Sequence, residues 1–197
     1  MKSVEVSVII PIYNSSSTME RALQSLQEQT FKKFEVIIID DCSSELNWEN
    51  QSSVIKKYEK FLNIIYLKNK SRKGVALSRN IAANHANGHF LTFLDSDDSY
   101  KRDHLNYRYS LMKERPILDY LWGGCDVVNG SSLVIDIRDS SQYIDLNDFH
   151  ATITGLLFFK KEVFMKMKGF KNIVYNEDGD LLRRLKESSF IGKHIPY

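Results

Sequence analysis

Short apolar runs separated by longer amphipathic segments dominate the first hundred positions of the chain. Four runs rich in β-branched and aromatic residues predict buried strands at 6–11, 34–39, 64–67 and 90–94. Helical spacing of apolar residues follows a capping-box sequence at 17–20, and further helices are predicted over 48–61 and 75–86. Strands that alternate with helices predict crossover connections and a mostly parallel sheet flanked by helices.

The pattern becomes less regular after residue 100. Helices are predicted at 102–115, 161–168 and 178–187, and strands at 120–122, 127–128, 133–135 and 152–159. Asn129 and Gly130 predict a tight hairpin turn between two of these strands. We therefore expect an α/β fold with a smaller mixed region. A single domain over 1–197 would comprise a first half, 1–100, and a second half, 101–197.

Composition narrows the class of protein. Of the 197 residues, 43% are hydrophobic and 26% are charged, as in ordinary globular proteins, and the formal net charge of +2 is too small to indicate nucleic-acid binding. Only Cys42 and Cys125 are present, which fits a reduced cytoplasmic protein better than a disulfide scaffold. The apolar run near the amino terminus is too short for a signal peptide or a membrane span.

Polar side chains follow three of the predicted strands. Tyr13 and Asn14 come after the first strand, Asp41 after the second, and three carboxylates within four residues, 95–98, after the strand at 90–94. The carboxyl ends of parallel strands share one edge, where ligands bind in open α/β sheets. A ring, a hydrogen-bonding acid and a metal-ready acid cluster predict a nucleotide site at this edge.

Plainer interpretations stay open at this point. The acid cluster also suits a turn that caps the next helix, and Tyr13 suits the rim of a core. Arg79, on the helix after Gly74, is either a cation for phosphates or a solvated charge. No glycine-rich phosphate loop of the dinucleotide-binding or P-loop type is present.

The order and spacing of ten short motifs resemble those of family 2 inverting glycosyltransferases with the GT-A fold, of the bacterial surface-polysaccharide type, over about nine tenths of the chain. The motifs are VSVIIPIYN at 6–14, QTF at 29–31, FEVIIIDDCS at 34–43, Gly74 with SRN at 78–80, Gly88, FLDSDD at 93–98, TG at 154–155, GF at 169–170, ED at 177–178 and LRRL at 182–185. The first half would then bind the nucleotide sugar, and the second would form the acceptor side.

The resemblance implies roles for the residues at the predicted sheet edge. Tyr13 would stack near uracil, Asp41 would accept a hydrogen bond from the base, and Pro11 would shape the same wall. Asn14 and Arg79 would lie near the nucleotide. Asp95, Asp97 and Asp98 match the acid motif, in which one acid holds Mn²⁺ or Mg²⁺ and another contacts ribose. We assign Asp95 and Asp97 to the nucleotide and Asp97 and Asp98 to the metal, but leave open which is the direct ligand.

The resemblance also implies the reaction. Asp178 matches the general base that takes a proton from the acceptor hydroxyl; Asp180 and Asp126 are the alternatives, and Glu177 and Asp178 also suit plain first-turn helix acids. The expected activity is transfer of one sugar from a UDP-sugar to a glycan or lipid-linked acceptor. A nucleotidyltransferase-like protein and a non-catalytic sugar-nucleotide-binding domain are the alternatives.

Two features qualify the resemblance. Cys42 replaces the family's small glycine. Only nineteen residues follow Asp178, so the chain is either a minimal natural form or lacks the continuation that closes the acceptor site in many family members. Residues 160–197 carry nine Lys and Arg against five Asp and Glu. The helix predicted at 161–168 mixes these cations with apolar residues. It either contacts the inner face of the membrane or packs its apolar side inward.

Overall fold

The computed structural model describes residues 3–128, 134–138, 156–173 and 175–195, with residues 135–138 described only as part of a strand. The strands are β1 Val6–Ile12, β2 Phe34–Asp40, β3 Ile64–Lys68, β4 Phe90–Phe93, β5 Tyr120–Gly123, β6 Cys125–Val128, β7 Val134–Arg138, β8 Phe158–Lys160 and β9 Gly192–Ile195. The helices are α1 Met19–Gln27, α2 Glu45–Tyr58, α3 Val75–Asn84, α4 His104–Glu114, α5 Lys161–Lys166 and α6 Glu177–Lys186.

Seven of these strands form one sheet in the order β3-β2-β1-β4-β8-β5-β9. The pairs β3–β2, β2–β1, β1–β4 and β5–β9 are parallel, whereas β8 runs antiparallel to both of its neighbours. The expected mostly parallel sheet is therefore confirmed. Strand β8 joins the parallel half to the mixed half.

Apolar side chains cover both faces of the sheet. Alternation along β1 sends Val8 and Ile10 into the cluster that holds α1, α2 and α4, and sends Ile9 into the cluster that holds α3, α5 and α6. Both clusters contain side chains that are completely buried. The predicted helices on both faces are thus present, and they hold the ends of the central strands in place.

A buried carboxylate ties β2 to the start of β4. Glu35 is 1% exposed and accepts hydrogen bonds from the Ser7 hydroxyl at 2.6 Å and from the Asn87 backbone N–H at 2.6 Å. The Ser7 hydroxyl in turn accepts from the Gly88 N–H at 2.9 Å. A Cβ at Gly88 would lie 2.6 Å from the Ser7 nitrogen, so this close approach of two backbones requires glycine.

Some local predictions differ from the structure. Helix α1 begins after Thr18, whose side chain makes no capping bond, so the capping box is not formed. Helix α2 starts three residues before the predicted start and ends three before the predicted end. Strand β9 was not predicted. The expected strands on either side of the hairpin pair antiparallel as β6 and β7, but the turn at 129–130 and residues 152–155 lie outside the described residues.

Candidate functional site

Three adjacent strands bring their polar ends to one edge of the sheet. The Asp41 N–H donates to the Ile12 carbonyl at 2.8 Å, and the Asn14 N–H donates to the Ser43 hydroxyl at 2.9 Å. The Asn14 side chain accepts from the Ser44 N–H at 3.1 Å. The segments that follow β1 and β2 therefore form one connected surface, as the order β2-β1-β4 requires.

Two residues of this surface have left-handed backbones. Asn14 has φ 51° and Cys42 has φ 70°. Asparagine tolerates this region because its short side chain bonds locally, whereas a cysteine Cβ is strained there. The backbone at Cys42 explains why glycine suits this position. Asn14 therefore holds the two segments together, and its expected contact with the nucleotide stays a prediction.

The Tyr13 ring lies open at this edge, with 42% of the residue exposed. The Arg72 guanidinium lies 4.1 Å from the ring centroid, within cation–π distance. Pro11 is partly buried near the end of β1, opposite Ile39 of β2. Arg72 was missed by the sequence analysis, where the basic run at 68–73 was the available signal. Tyr13 is thus accessible to a planar ligand on the side that Arg72 leaves open.

Asp41 organises the loop that leads into α3. Its Oδ1 accepts from Asn69 Nδ2 and from the Lys73 N–H, and its Oδ2 accepts from the Gly74 N–H, each at 2.8 Å. Burial by itself would raise the pKa of this carboxyl group, but the hydrogen bonds outweigh it and lower the pKa. Asp41 is therefore ionised, and Oδ2 retains capacity for a further donor.

The acid motif follows β4 as a turn, with the Asp98 N–H donating to the Asp95 carbonyl at 3.0 Å. Asp97 and Asp98 are exposed, and Arg21 of α1 donates to the Asp97 carbonyl. Although Asp98 is exposed as a residue, its carboxyl group is partly buried. This burial, together with the charges of Asp95 and Asp97, raises the pKa of Asp98 to about 6. The negative charges of Asp95, Asp97 and Asp98 are thus not fully neutralised by nearby cationic side chains.

No group of three or more His, Cys, Asp or Glu side chains within the described ranges is arranged to hold a metal ion. An all-protein metal cage is therefore absent from that part of the chain. Asp97 and Asp98 still fit a Mg²⁺ or Mn²⁺ ion that a substrate diphosphate completes, because such ions use one or two carboxylates plus phosphate oxygens. The raised pKa of Asp98 fits this donor set.

Arg79 lies deeper than expected. Its side chain is 3% exposed, and its guanidinium donates to Asp95 Oδ1 at 2.5 Å and to Glu177 Oε1 at 2.7 Å. Two carboxylates thus engage its charge, and the expected contact with the nucleotide stays a prediction. Arg79 joins the acid motif to the start of α6.

Asp178 lies in the first turn of α6, directly after Glu177. The preceding Asn176 has φ 62°, which turns the chain sharply into the helix. Burial raises the pKa of Asp178; Glu177 adds to this rise, while the Gly179 N–H and Arg79 oppose it. A partly buried carboxyl group with a raised pKa is a stronger base than an exposed aspartate once it is ionised.

The two alternative bases are engaged elsewhere. Asp180 accepts from Arg184 at 2.6 Å and from Lys171 at 3.2 Å, and although burial would raise its pKa, these bonds lower it. Asp126 pairs with Lys101 at 3.0 Å. The geometry therefore favours Asp178 among the three candidate acids.

Helix α5 packs its apolar side inward. Val163 and Phe164 are 1% and 2% exposed, and they belong to the cluster beneath the sheet. Lys160 pairs with Asp119 at 3.0 Å, and Lys161 donates to the Ala86 carbonyl at 2.5 Å. Of the two interpretations of this helix, inward packing agrees with the structure. Among the helices of the described ranges, none combines the length and apolarity that crossing a membrane requires.

Comparison with known proteins agrees with this geometry. Residues 7–167 match the model of glycosyl transferase family 2. An uncharacterized glycosyltransferase of Haemophilus influenzae is 30% identical over 94% of this chain and 63% of its own length. The Escherichia coli UDP-Glc:alpha-D-GlcNAc-diphosphoundecaprenol beta-1,3-glucosyltransferase WfgD is 32% identical over 66% of this chain and 49% of its own length. The chain thus spans about half to three fifths of these relatives.

Solved structures share the fold. Staphylococcus aureus TarS 1–349 in complex with UDP-GlcNAc superposes with a TM-score of 0.77, at 23% identity over 98% of this chain and 59% of that one. The mannosyltransferase PcManGT of Pyrobaculum calidifontis, in complex with GDP-Man and Mn²⁺, gives a TM-score of 0.76 at 20% identity, over 98% and 55%. At these identities the likeness establishes the fold alone, which is that of GT-A glycosyltransferases.

Proposed function

Because the chain belongs to glycosyl transferase family 2, we propose that it moves one sugar from a UDP-sugar to an acceptor hydroxyl with inversion at the anomeric carbon. One observation carries this proposal. Tyr13, Asp41 and the acid motif end three neighbouring strands, and Arg79 links that edge to the helix that bears Asp178. A donor site and a base are thereby held on one framework.

The donor would bind with its base at the Tyr13 end of the edge. The half-exposed ring offers a stacking face, Pro11 borders it, and Oδ2 of Asp41 has capacity to accept from a base N–H. Asn14 and Arg72 hold the surrounding segments in place. Ionised Asp41 favours a ligand edge that donates a hydrogen bond, as uracil N3–H does.

The diphosphate would lie over the acid motif. Asp97 and Asp98 would hold Mn²⁺ or Mg²⁺ there, and Asp95 would face the ribose side of the same turn. When bound, the ion neutralises charge on the departing diphosphate. The carboxylates contribute orientation, because the turn between Asp95 and Asp98 and the Arg21 contact to the Asp97 carbonyl fix their directions.

Asp178 would accept the proton of the acceptor hydroxyl. Inversion needs an attack from the face of the sugar opposite the diphosphate, so a base on α6 must face the acid motif across the sugar. The first-turn position favours the ionised form through the helix dipole, while burial keeps the group basic. Glu177 is already held by Arg79 and is therefore less suited to this role.

The proposed acceptor is supported by a relative rather than by the site. WfgD is named for transfer to a diphosphoundecaprenol-linked sugar, and we propose a glycan or lipid-linked acceptor for this chain as well. Residues 1–100 would form the nucleotide-sugar half, and 101–197 the acceptor side. We propose a cytoplasmic location with no nucleic-acid partner. Peripheral contact at the inner membrane face is proposed from the lipid-linked acceptor and not from α5, whose apolar side packs inward.

A thermal-shift screen over nucleotide sugars, with and without Mn²⁺, tests the donor assignment, since a ligand that binds only the folded state raises its stability. We expect UDP-sugars to raise the Tm only with the metal. Release of UDP in the presence of Mn²⁺ then tests catalysis. Binding without turnover on any acceptor would favour a non-catalytic domain, and release of pyrophosphate from a nucleoside triphosphate would favour a nucleotidyltransferase.

A further inference from the structure

Arg79 connects two parts of the site that lie far apart in the sequence. One guanidinium nitrogen donates to Asp95, 16 positions away at the end of β4, and another donates to Glu177, 98 positions away at the start of α6. The Arg79 side chain is 3% exposed, and its guanidinium carbon lies 5.4 Å from the centroid of the Phe170 ring. We call the paired contacts of Arg79 with Asp95 and Glu177 the bridge. Its buried position against an aromatic ring restricts how far it can move.

Asn80, which follows Arg79 on helix α3, attaches the segment before α6 to α3. The Asn80 side chain donates to the Phe170 carbonyl at 2.8 Å and accepts from the Phe170 N–H at 2.9 Å. From the other side, Arg184 of α6 donates to the carbonyls of Met167 and Gly169, each at 2.7 Å. Arg79 and Asn80, consecutive residues of α3, thus hold Glu177 at the start of α6 and Phe170 in the segment before it.

The charges in the bridge leave Arg79 little to offer a ligand. One guanidinium faces two carboxylates, and its Nε has no hydrogen-bond partner within the described ranges. Buried charges are stable when they are paired, and a planar fork holds two partners in a fixed relation that a lysine cannot reproduce. The bridge therefore serves geometry better than it serves phosphate binding.

We propose that Arg79 is a positioning residue, which sets the distance and direction between the acid motif and Asp178 by clamping Asp95 and Glu177. This inference rests on the proposed function, because it concerns the spacing between a donor site and a base. Asp178 follows Glu177 directly, so a displacement of Glu177 carries the base with it. Misplacement by about 1 Å is enough to lower a rate by roughly 10²-fold.

Two substitutions separate geometry from charge. Arg79→Gln should lower kcat by roughly 10²-fold, leave Mn²⁺-dependent UDP affinity nearly unchanged, and move the acidic limb of the kcat profile to higher pH. The limb moves because Arg79 lowers the pKa of Asp178, whereas the charge of Glu177 raises that pKa. Arg79→Lys should also lower kcat but leave the limb nearer to its original place.

Arg183→Gln is the matched control. Arg183 also pairs with two carboxylates, Asp180 and Glu187, but its side chain is 39% exposed and neither partner is bound by Arg79. This variant should keep the kcat and the pH profile of the unaltered protein. Glu177→Ala, which removes the carboxylate that Arg79 binds on α6, should reproduce the kcat loss of Arg79→Gln, and it replaces that variant if Arg79→Gln fails to fold.

The outcomes distinguish this proposal from the proposed function. If the unaltered protein transfers sugar and Arg79→Gln keeps its kcat and pH limb, the positioning role is wrong. If UDP affinity falls in parallel with kcat, the loss lies in donor binding and not in the placement of Asp178, and the positioning role is also wrong. If no donor supports transfer, the proposed function fails, and hydrogen exchange decides instead. Faster amide hydrogen exchange at 177–181 in Arg79→Gln but not in Arg183→Gln supports the positioning role of Arg79, and unchanged exchange overturns it.

Discussion

Asn80 and Phe170 exchange two hydrogen bonds, with the side-chain amide of Asn80 donating to the Phe170 carbonyl and its oxygen accepting from the Phe170 N–H. The pairing imitates a short piece of β-ladder between a helix side chain and a loop backbone. Gly169 lies against it with φ 63°, and a Cβ there would be 2.2 Å from the Asn80 oxygen. These contacts join the SRN segment at 78–80 to the GF segment at 169–170.

Asn80→Ala should destabilise the protein by about 1–3 kcal/mol, because it leaves two backbone groups of Phe170 without their partners. Gly169→Ala should also destabilise it, through both the clash and the positive φ. The two changes should be less than additive, since Asn80→Ala removes the clash, with a coupling of about 0.5–3 kcal/mol. Urea unfolding of the single and double variants measures this coupling; strict additivity would contradict the contact.

Asp41→Asn should destabilise the protein without nucleotide by about 1–3 kcal/mol, because an amide nitrogen would face N–H donors of the loop before α3. Asp41 has a lowered pKa, so its stabilisation is complete above its ordinary value of 3.8 and is lost as the pH falls through the lowered value. The difference from the unaltered protein should therefore be large at pH 7 and shrink below about pH 4. Thermal unfolding across this range checks it, with Glu49→Gln on the surface of α2 as control.

Replacing Asp97 and Asp98 together by asparagine should abolish the Mn²⁺ dependence of UDP binding, because neutral amides cannot offset a divalent cation beside a diphosphate. Calorimetry with UDP, with and without Mn²⁺, measures this. In the unaltered protein the metal-dependent affinity should rise between about pH 5 and pH 7, because Asp98, with a pKa of about 6, releases its proton to solvent and its carboxylate can then bind the cation. A metal dependence retained in the double variant would place the metal elsewhere.

Asp98→Asn alone should stabilise the metal-free protein above pH 6. The pKa of Asp98 is raised in the folded state, so the folded protein holds its proton more tightly, and stability is lost as the pH rises from the ordinary value of 3.8 through about 6. An asparagine has no proton to lose. The Tm of the variant should exceed that of the unaltered protein at pH 8, and the two should converge near pH 4.

Asp178→Asn is nearly isosteric but cannot accept a proton at neutral pH. We expect transfer to fall by roughly 10²-fold or more while UDP-sugar affinity changes little. In the unaltered enzyme the acidic limb of kcat should lie above pH 3.8, because burial raises the pKa of Asp178. Steady-state kinetics against Glu187→Gln, at the other end of α6, tests this; a parallel loss of affinity would make Asp178 a donor-binding residue.

The sheet and its functional edge were predictable because their signals are local. The alternating or continuous apolar runs of β1, β2 and β4 name the central strands, and the residues that end them carry the polar groups. Parallel pairing then places Tyr13, Asp41 and the acid motif together with no further information. The candidate base could be named from the resemblance, although its environment could not.

What escaped prediction depends on contacts between distant segments. Strand β9, with the sequence GKHI, has no apolar period. It pairs with the distant strand β5, and the Tyr120 ring lies against Gly192. Arg79 lies on a helix where the sequence alone favoured a solvated charge over a phosphate ligand. Only Glu177, 98 positions later in the chain, makes it a buried ion pair. Such tertiary effects override local preference.

Strand β8 has a consequence for the order in which the chain assembles. It fills the gap between β4 and β5, yet it is made long after both of them. At a synthesis rate of about 5–20 residues per second, the β4 edge, with Phe90, Leu91 and Phe93, stays open for several seconds on the ribosome. An unpaired apolar edge is the usual template for aggregation. The nascent chain therefore exposes the apolar edge of β4 until β8 has been synthesised, and chaperones that bind exposed strands would act during this interval.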